Sequence, residues 1–193
     1  MIAVASPQPS FDLVILNGRV VDPESNTDAI RNLGISQGTI KAITTRNLNG
    51  RTVVDARGLV VAPGFIDLHQ HGQDEENYQF KAMDGVTTAL ELEVGTGDVD
   101  AWYAQREGRS LINYGVSAGH LAARMKAMNE PVTFLPTGNA ARRAATDAEI
   151  REMQNSLEHE LQRGAIAVGF GIQYTPGASR WEILEMFRVA ARY

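Results

Sequence analysis

The chain has no cysteine. Disulfides and thiolate metal sites are therefore excluded, and any bound metal must draw on imidazole, carboxylate and water. Positive charge is in no excess either: 18 Lys and Arg stand against 23 Asp and Glu, for a formal net charge of −5. Without clustered basic residues, the counterion release that drives non-specific nucleic-acid binding has no source. No stretch reaches the roughly 18 apolar residues of a membrane-spanning helix. Histidine is scarce, with four in 193 residues, so each can be weighed on its own. What the chain does have is a hydrophobic fraction of 44% beside 21% charged residues. That is enough to bury a core and is not the composition of a disordered chain.

Residues 1–10 are small and apolar without a basic start. They are expected to form a flexible leader on a cytoplasmic protein, the trimmed end of an export signal being the competing reading. From 11 to 62, short apolar runs alternate with turn signals. Asn17-Gly18, Ser36-Gln37-Gly38 and Ala56-Arg57-Gly58 supply the positive φ that tight hairpins need, which predicts a small antiparallel sheet.

From 63 onward the rhythm lengthens. Strands are expected over 65–71, 85–94, 111–118 and 165–172, and helices over 75–83, 99–106, 121–128, 147–163 and 180–191. Thr146 or Asp147 is placed to cap the helix at 147, and Gly164 to end it. Strands alternating with helices imply βαβ units on a parallel sheet. Four such units are half of an eight-unit (β/α) barrel, and a complete four-unit doubly wound sheet fits the pattern as well.

The chemistry concentrates in Asp67-Leu68-His69-Gln70-His71. Side chains at i, i+2 and i+4 of a strand share a face, so Asp67, His69 and His71 are expected to project together. Two imidazoles so spaced at the C-terminal end of a parallel strand can grip one cation, and that end is where α/β active sites lie. On the second strand Glu91 and Glu93 also share a face. Buried carboxylates are costly without a cation or donor, so Glu93 is a candidate third ligand, and ion pairing with neighbouring helices is the alternative. Arg124 could receive a substrate carboxylate bidentately or sit on a helix surface. Tyr174, in the glycine-rich stretch 169–177, could donate a hydrogen bond to a developing oxyanion or fill its loop. His159 lies between two glutamates and is expected to be solvated.

The run Val60-Val61-Ala62-Pro63-Gly64-Phe65-Ile66-Asp67-Leu68-His69-Gln70-His71-Gly72 resembles the entry strand of the amidohydrolase superfamily. Residues 12–23 resemble its N-terminal sandwich strand. Residues 142–150, 164–169 and Tyr174-Thr175-Pro176-Gly177 are similar to the D-aminoacylase branch, which uses zinc to hydrolyse N-acyl-D-amino acids. The resemblance implies a partial TIM-like (β/α)8 barrel at 63–193, preceded at 11–62 by part of a β-sandwich. It makes His69 and His71 metal ligands for one or two divalent ions, zinc above all, and the Gly119-His120 pair a site-lining feature, with His120 contacting substrate or orienting a ligand; plain structural filling is the alternative for His120. It departs from the branch on the second strand, where a cysteine ligand is usual and Glu91 and Glu93 stand instead. No lysine lies on the fourth strand, so the carbamylated-lysine bridge of the dihydroorotase and hydantoinase branches is not available.

In the superfamily, two further histidines and the catalytic aspartate come from strands five, six and eight. The isolated chain is accordingly expected to be inactive until a C-terminal half completes it. The expected partner is a small N-acyl amino acid or related amide, not a nucleic acid or a membrane. A dihydroorotase-like cyclic amidase and a non-catalytic half-barrel that self-associates are the alternative readings.

Overall fold

The computed structural model describes residues 11–193; the expected leader at 1–10 lies outside the described residues. The chain divides into two units, the first ending at Pro63 and the second running Gly64–Tyr193. No helix among the described residues is long and apolar enough to cross a membrane.

The first unit holds β1 (Phe11–Asp22), β2 (Thr27–Ser36), β3 (Thr39–Thr44), β4 (Gly50–Asp55) and β5 (Val60–Val61). They form one sheet in the order β3-β2-β1-β4, with β5 also paired to β1. Gln37 and Gly38 join β2 to β3 with φ of 52° and 69°, the left-handed pair that a two-residue hairpin requires. Asn17-Gly18 behaves otherwise. β1 passes straight through it, and Asn17 at φ 63° sits where the register to β2 slips between Ile15 and Gly18. Its amide donates to Asn32 Oδ1 at 2.8 Å, so the positive φ makes a bulge and not a turn. The sheet is also mixed and not purely antiparallel, because β4 and β5 run parallel to β1.

The second unit carries a parallel sheet of β6 (Phe65–Asp67), β7 (Val86–Thr96), β8 (Asn113–Gly119) and β9 (Val168–Gly169). Its helices are α1 (Glu75–Met83), α2 (Val99–Ala104), α3 (His120–Ala127), α4 (Asn139–Arg142), α5 (Asp147–Gln162) and α6 (Arg180–Ala190), with a 3-10 turn at Ile172–Tyr174. Strand order is β6-β7-β8-β9. A doubly wound sheet reverses its order partway; this one never does, and its four βα units form an arc of a (β/α) barrel.

Helix α5 shows how local sequence sets these elements. Thr146 Oγ1 accepts the Glu149 amide while the Glu149 carboxylate accepts the Thr146 amide, a reciprocal capping box. Gly164, at φ 110°, follows the helix end. Ile150, Met153 and Leu157 are buried at helical spacing. They meet Val116 and Ala118 of β8, Ala123 of α3 and Met186 and Val189 of α6 in the main core.

Two strands are shorter than expected. β6 stops at Asp67 because the Asp67 carboxylate accepts the His69 amide at 3.0 Å, turning the chain from the ladder. Gln70 then donates its amide to Leu90 O, and His69 bridges Glu91, so the segment still runs against β7. The fourth strand keeps only two residues, although Ile166 and Ala167 still bond to β8; Gly171 and the 3-10 turn end it.

Candidate metal centre

The site forms where the segment after β6 meets the C-terminal end of β7. There β7 bulges, its register to β8 slipping between Glu91 and Thr96. Gly95 holds φ 66°, and a Cβ on it would lie 2.5 Å from Ser117 O, so only glycine fits. The buried Glu91 carboxylate fills the bulge: Oε1 accepts the amides of Glu93 and Val94 at 3.1 and 3.0 Å. Its other oxygen, Oε2, lies 2.5 Å from His71 Nδ1.

That contact fixes the imidazole. With Nδ1 turned to Glu91, His71 directs Nε2 to the opposite side of its ring. Nε2 lies 3.1 Å from Glu93 Oε2 and 3.0 Å from His69 Nε2. The third side, His69 Nε2 to Glu93 Oε2, is 3.2 Å. Two imidazole nitrogens and one carboxylate oxygen thus form a nearly equilateral triangle. A tetrahedral ion with bonds near 2.0–2.1 Å spaces its ligands about 3.3 Å apart, so the triangle suits three ligands of a single ion. Nitrogen–oxygen donors without thiolate suit zinc among other divalent metals. Among the described residues, His69, His71 and Glu93 are the group of this kind that could hold a metal ion.

Asp67 does not join them. It pairs with Lys81 and accepts the His69 amide; the Lys81 hydrogen bond first, and that amide second, hold its carboxyl below the usual range. Glu91 also lies outside the triangle, as the residue that orients His71. Phe134 sets its ring edge-on to His71, with centroids 5.6 Å apart. The sequence drew no attention to this residue, because its loop carries no motif.

Two of the three residues expected to contact substrate, His120 and Arg124, fall elsewhere. His120 and Arg124 are fully buried and meet at Glu182 of α6. His120 Nε2 lies 2.7 Å from Glu182 Oε1, and Arg124 Nη1 pairs with both Glu182 oxygens. Arg124 Nε and Nη2 donate to Ala140 O and Arg143 O, each at 2.6 Å. Every nitrogen of this guanidinium is therefore committed inside the protein, and the expected roles of Arg124 and His120 in binding substrate do not fit this placement. Burial pushes the His120 imidazole below its ordinary value. Burial alone would raise Glu182, but hydrogen bonds from His120 and Arg124 outweigh it and hold the carboxyl low. Glu182 went unnoticed because nothing near it in the chain marks a partner for it; in the structure Ser179 accepts its amide at the start of α6. Tyr174 is half-buried against the cluster of Val94, Leu121, Met125, Met128 and Ala140.

Comparison with known proteins matches residues 52–148 to the amidohydrolase family. A D-aminoacylase of Alcaligenes xylosoxydans xylosoxydans is 29% identical over 95% of this chain and 43% of its own length. Among solved structures, N-acyl-D-glutamate deacylase of Bordetella bronchiseptica, in complex with zinc and a phosphonate inhibitor, superposes with a TM-score of 0.77. It is 28% identical, over 94% of this chain and 43% of its own. A D-aminoacylase described with a binuclear metal centre gives a TM-score of 0.74 at 25% identity, over 93% and 43%. The chain thus spans less than half the length of the relatives it matches.

Proposed function

The chain belongs to the amidohydrolase family, and from that premise we propose that it is part of a metal-dependent hydrolase that deacylates N-acyl-D-amino acids. In this reading His69, His71 and Glu93 hold a divalent ion, zinc in the first instance, and a second ion is accommodated as in the binuclear relative. The substrate class rests on similarity to a D-aminoacylase and an N-acyl-D-glutamate deacylase.

One observation carries the proposal. Three atoms able to ligate a metal, His69 Nε2, His71 Nε2 and Glu93 Oε2, converge within 3.0–3.2 Å, while Glu91 occupies the far nitrogen of His71; with both imidazoles presenting lone pairs there, three lone pairs face one another. Such an arrangement is repulsive unless a cation or proton sits among the three atoms. When bound, the ion supplies Lewis acidity that activates water and polarises an amide carbonyl. The protein's share is positional. Glu91 fixes the tautomer and direction of His71, Asp67 tethers the His69 amide, and the β7 bulge brings Glu93 round to face both rings.

Zinc titration of the purified chain tests the reading. Specific binding that falls more than about 100-fold in His69→Ala and in Glu93→Ala is expected, since even partners of metal ligands cost 10–100-fold. Zinc affinity indifferent to both substitutions would overturn the site. The substrate class is checked by release of free amino acid from N-acetyl-D- but not N-acetyl-L-amino acids by the protein that carries this chain with its C-terminal strands.

A further inference from the structure

A second feature adjoins the triangle. Val94, Gly95, Thr96 and Gly97 at the end of β7, Leu121 and Ala122 at the start of α3, and Val132, Thr133 and Phe134 in the loop beyond it enclose a pocket of about 220 Å³. No charged side chain lines it. Its wall meets the candidate metal centre at Phe134, whose ring packs edge-on against His71. At the roughly 30 Å³ that a water takes in the liquid, the volume holds about seven non-hydrogen atoms.

We propose that this pocket receives the acyl chain of the amide substrate, and that Val132 and Phe134 set the length and charge of the chain accepted; the proposal rests on the functional reading above. The acyl chain is bonded directly to the carbonyl carbon that the metal centre polarises. The amino-acid side chain is removed from that carbon by the nitrogen and Cα. A pocket whose wall touches a metal-ligand ring is therefore nearer to the acyl group. Uncharged walls favour aliphatic chains of up to about six or seven carbons. Acyl groups ending in a carboxylate fit less well, since the charge would be desolvated within and Lys126, at the rim, already donates to Gly97 O.

The test is calorimetric binding of N-acetyl-, N-butanoyl-, N-hexanoyl- and N-succinyl-D-alanine to the chain, with zinc and with EDTA. Each methylene buried is expected to raise affinity about threefold to fourfold, and the succinyl compound to lose that gain. Val132→Asp, at a half-exposed position where folding is not at stake, is expected to flatten the series while zinc stoichiometry stays unchanged. Phe134→Ala is expected to weaken the longer chains most. A series that is flat in the wild type, or that survives Val132→Asp, would overturn the pocket. So would a series in which N-acetyl-D-alanine, -valine and -leucine, and not the acyl series, respond to that variant. Loss of zinc binding with the acyl series intact in EDTA would count against the metal reading alone.

Discussion

Two clusters in the second unit use the same chemical vocabulary to opposite ends. His69, His71 and Glu93 gather at strand ends, with the His69 and His71 side chains 65% and 36% exposed. His120, Arg124 and Glu182 gather just beyond β8 and are wholly buried. In the first cluster, Glu91 takes one nitrogen of His71, and His69 Nε2, His71 Nε2 and Glu93 Oε2 are left facing one another. In the second, a guanidinium replaces the missing cation, so the carboxylate is saturated from within. His120 Nδ1 alone has no hydrogen-bond partner, as fits a neutral ring donating through Nε2. A histidine–glutamate contact is thus no signature of function by itself. What separates a metal centre from a brace is whether the positive charge is built into the protein or left to be supplied.

The largest effect should come from breaking the brace. Arg124→Ala strands the Glu182 carboxylate in the core, and removing one partner of a buried ion pair typically costs about 3–5 kcal/mol. Urea denaturation should show that loss, with zinc affinity of the folded protein unaltered; a loss below about 1 kcal/mol would mean the cluster braces nothing. Next in size is Glu91→Gln, which weakens the orientation of His71 and should lower zinc affinity about 10–100-fold. Unchanged affinity would remove Glu91 from the positioning role.

These contrasts also mark what the residues alone disclosed. The alternation of strands and helices, a helix cap at Thr146 or Asp147 and the pairing of His69 with His71 are all local patterns, read at separations of a few residues. Glu93 was a candidate because it shares a face with Glu91, and both carboxylates do reach His71; that the β7 bulge draws Glu91 onto its own amides and leaves Glu93 to both rings is invisible to a period-two pattern. Arg124 and Glu182 are 58 residues apart in the chain; no local rule joins them, and neither of the two readings open to Arg124, a substrate contact or a surface helix position, anticipates a buried ion pair. Asn17-Gly18 misled for a related reason, since positive φ serves a bulge as well as a hairpin.

A pH series sharpens the contrast at intermediate scale. His120 titrates below its ordinary value when folded, so the unfolded chain binds its proton first as pH falls through about 6.5. Its contribution to stability is therefore present above that range and lost progressively below it. Urea midpoints should drop between about pH 7 and 5, and His120→Asn should flatten that part of the curve; an equal slope in the variant would assign the dependence elsewhere. The smallest effect belongs to the surface. Thr146→Ala should cost about 1 kcal/mol through loss of the α5 cap, read as a shift in thermal midpoint. Glu149, lowered from 4.5 to about 2 first by its hydrogen bond with Arg143, should hold its full contribution only above about pH 5 and lose it progressively as pH falls to about 2. Its partial exposure to solvent keeps that contribution modest.

The most direct measurement is zinc-edge X-ray absorption on the zinc-loaded chain. The account predicts a coordination shell containing two imidazole nitrogens and carboxylate oxygen at about 2.0–2.2 Å, reduced to a single imidazole in His69→Ala. A shell of oxygens without imidazole, or one indifferent to that substitution, would contradict it.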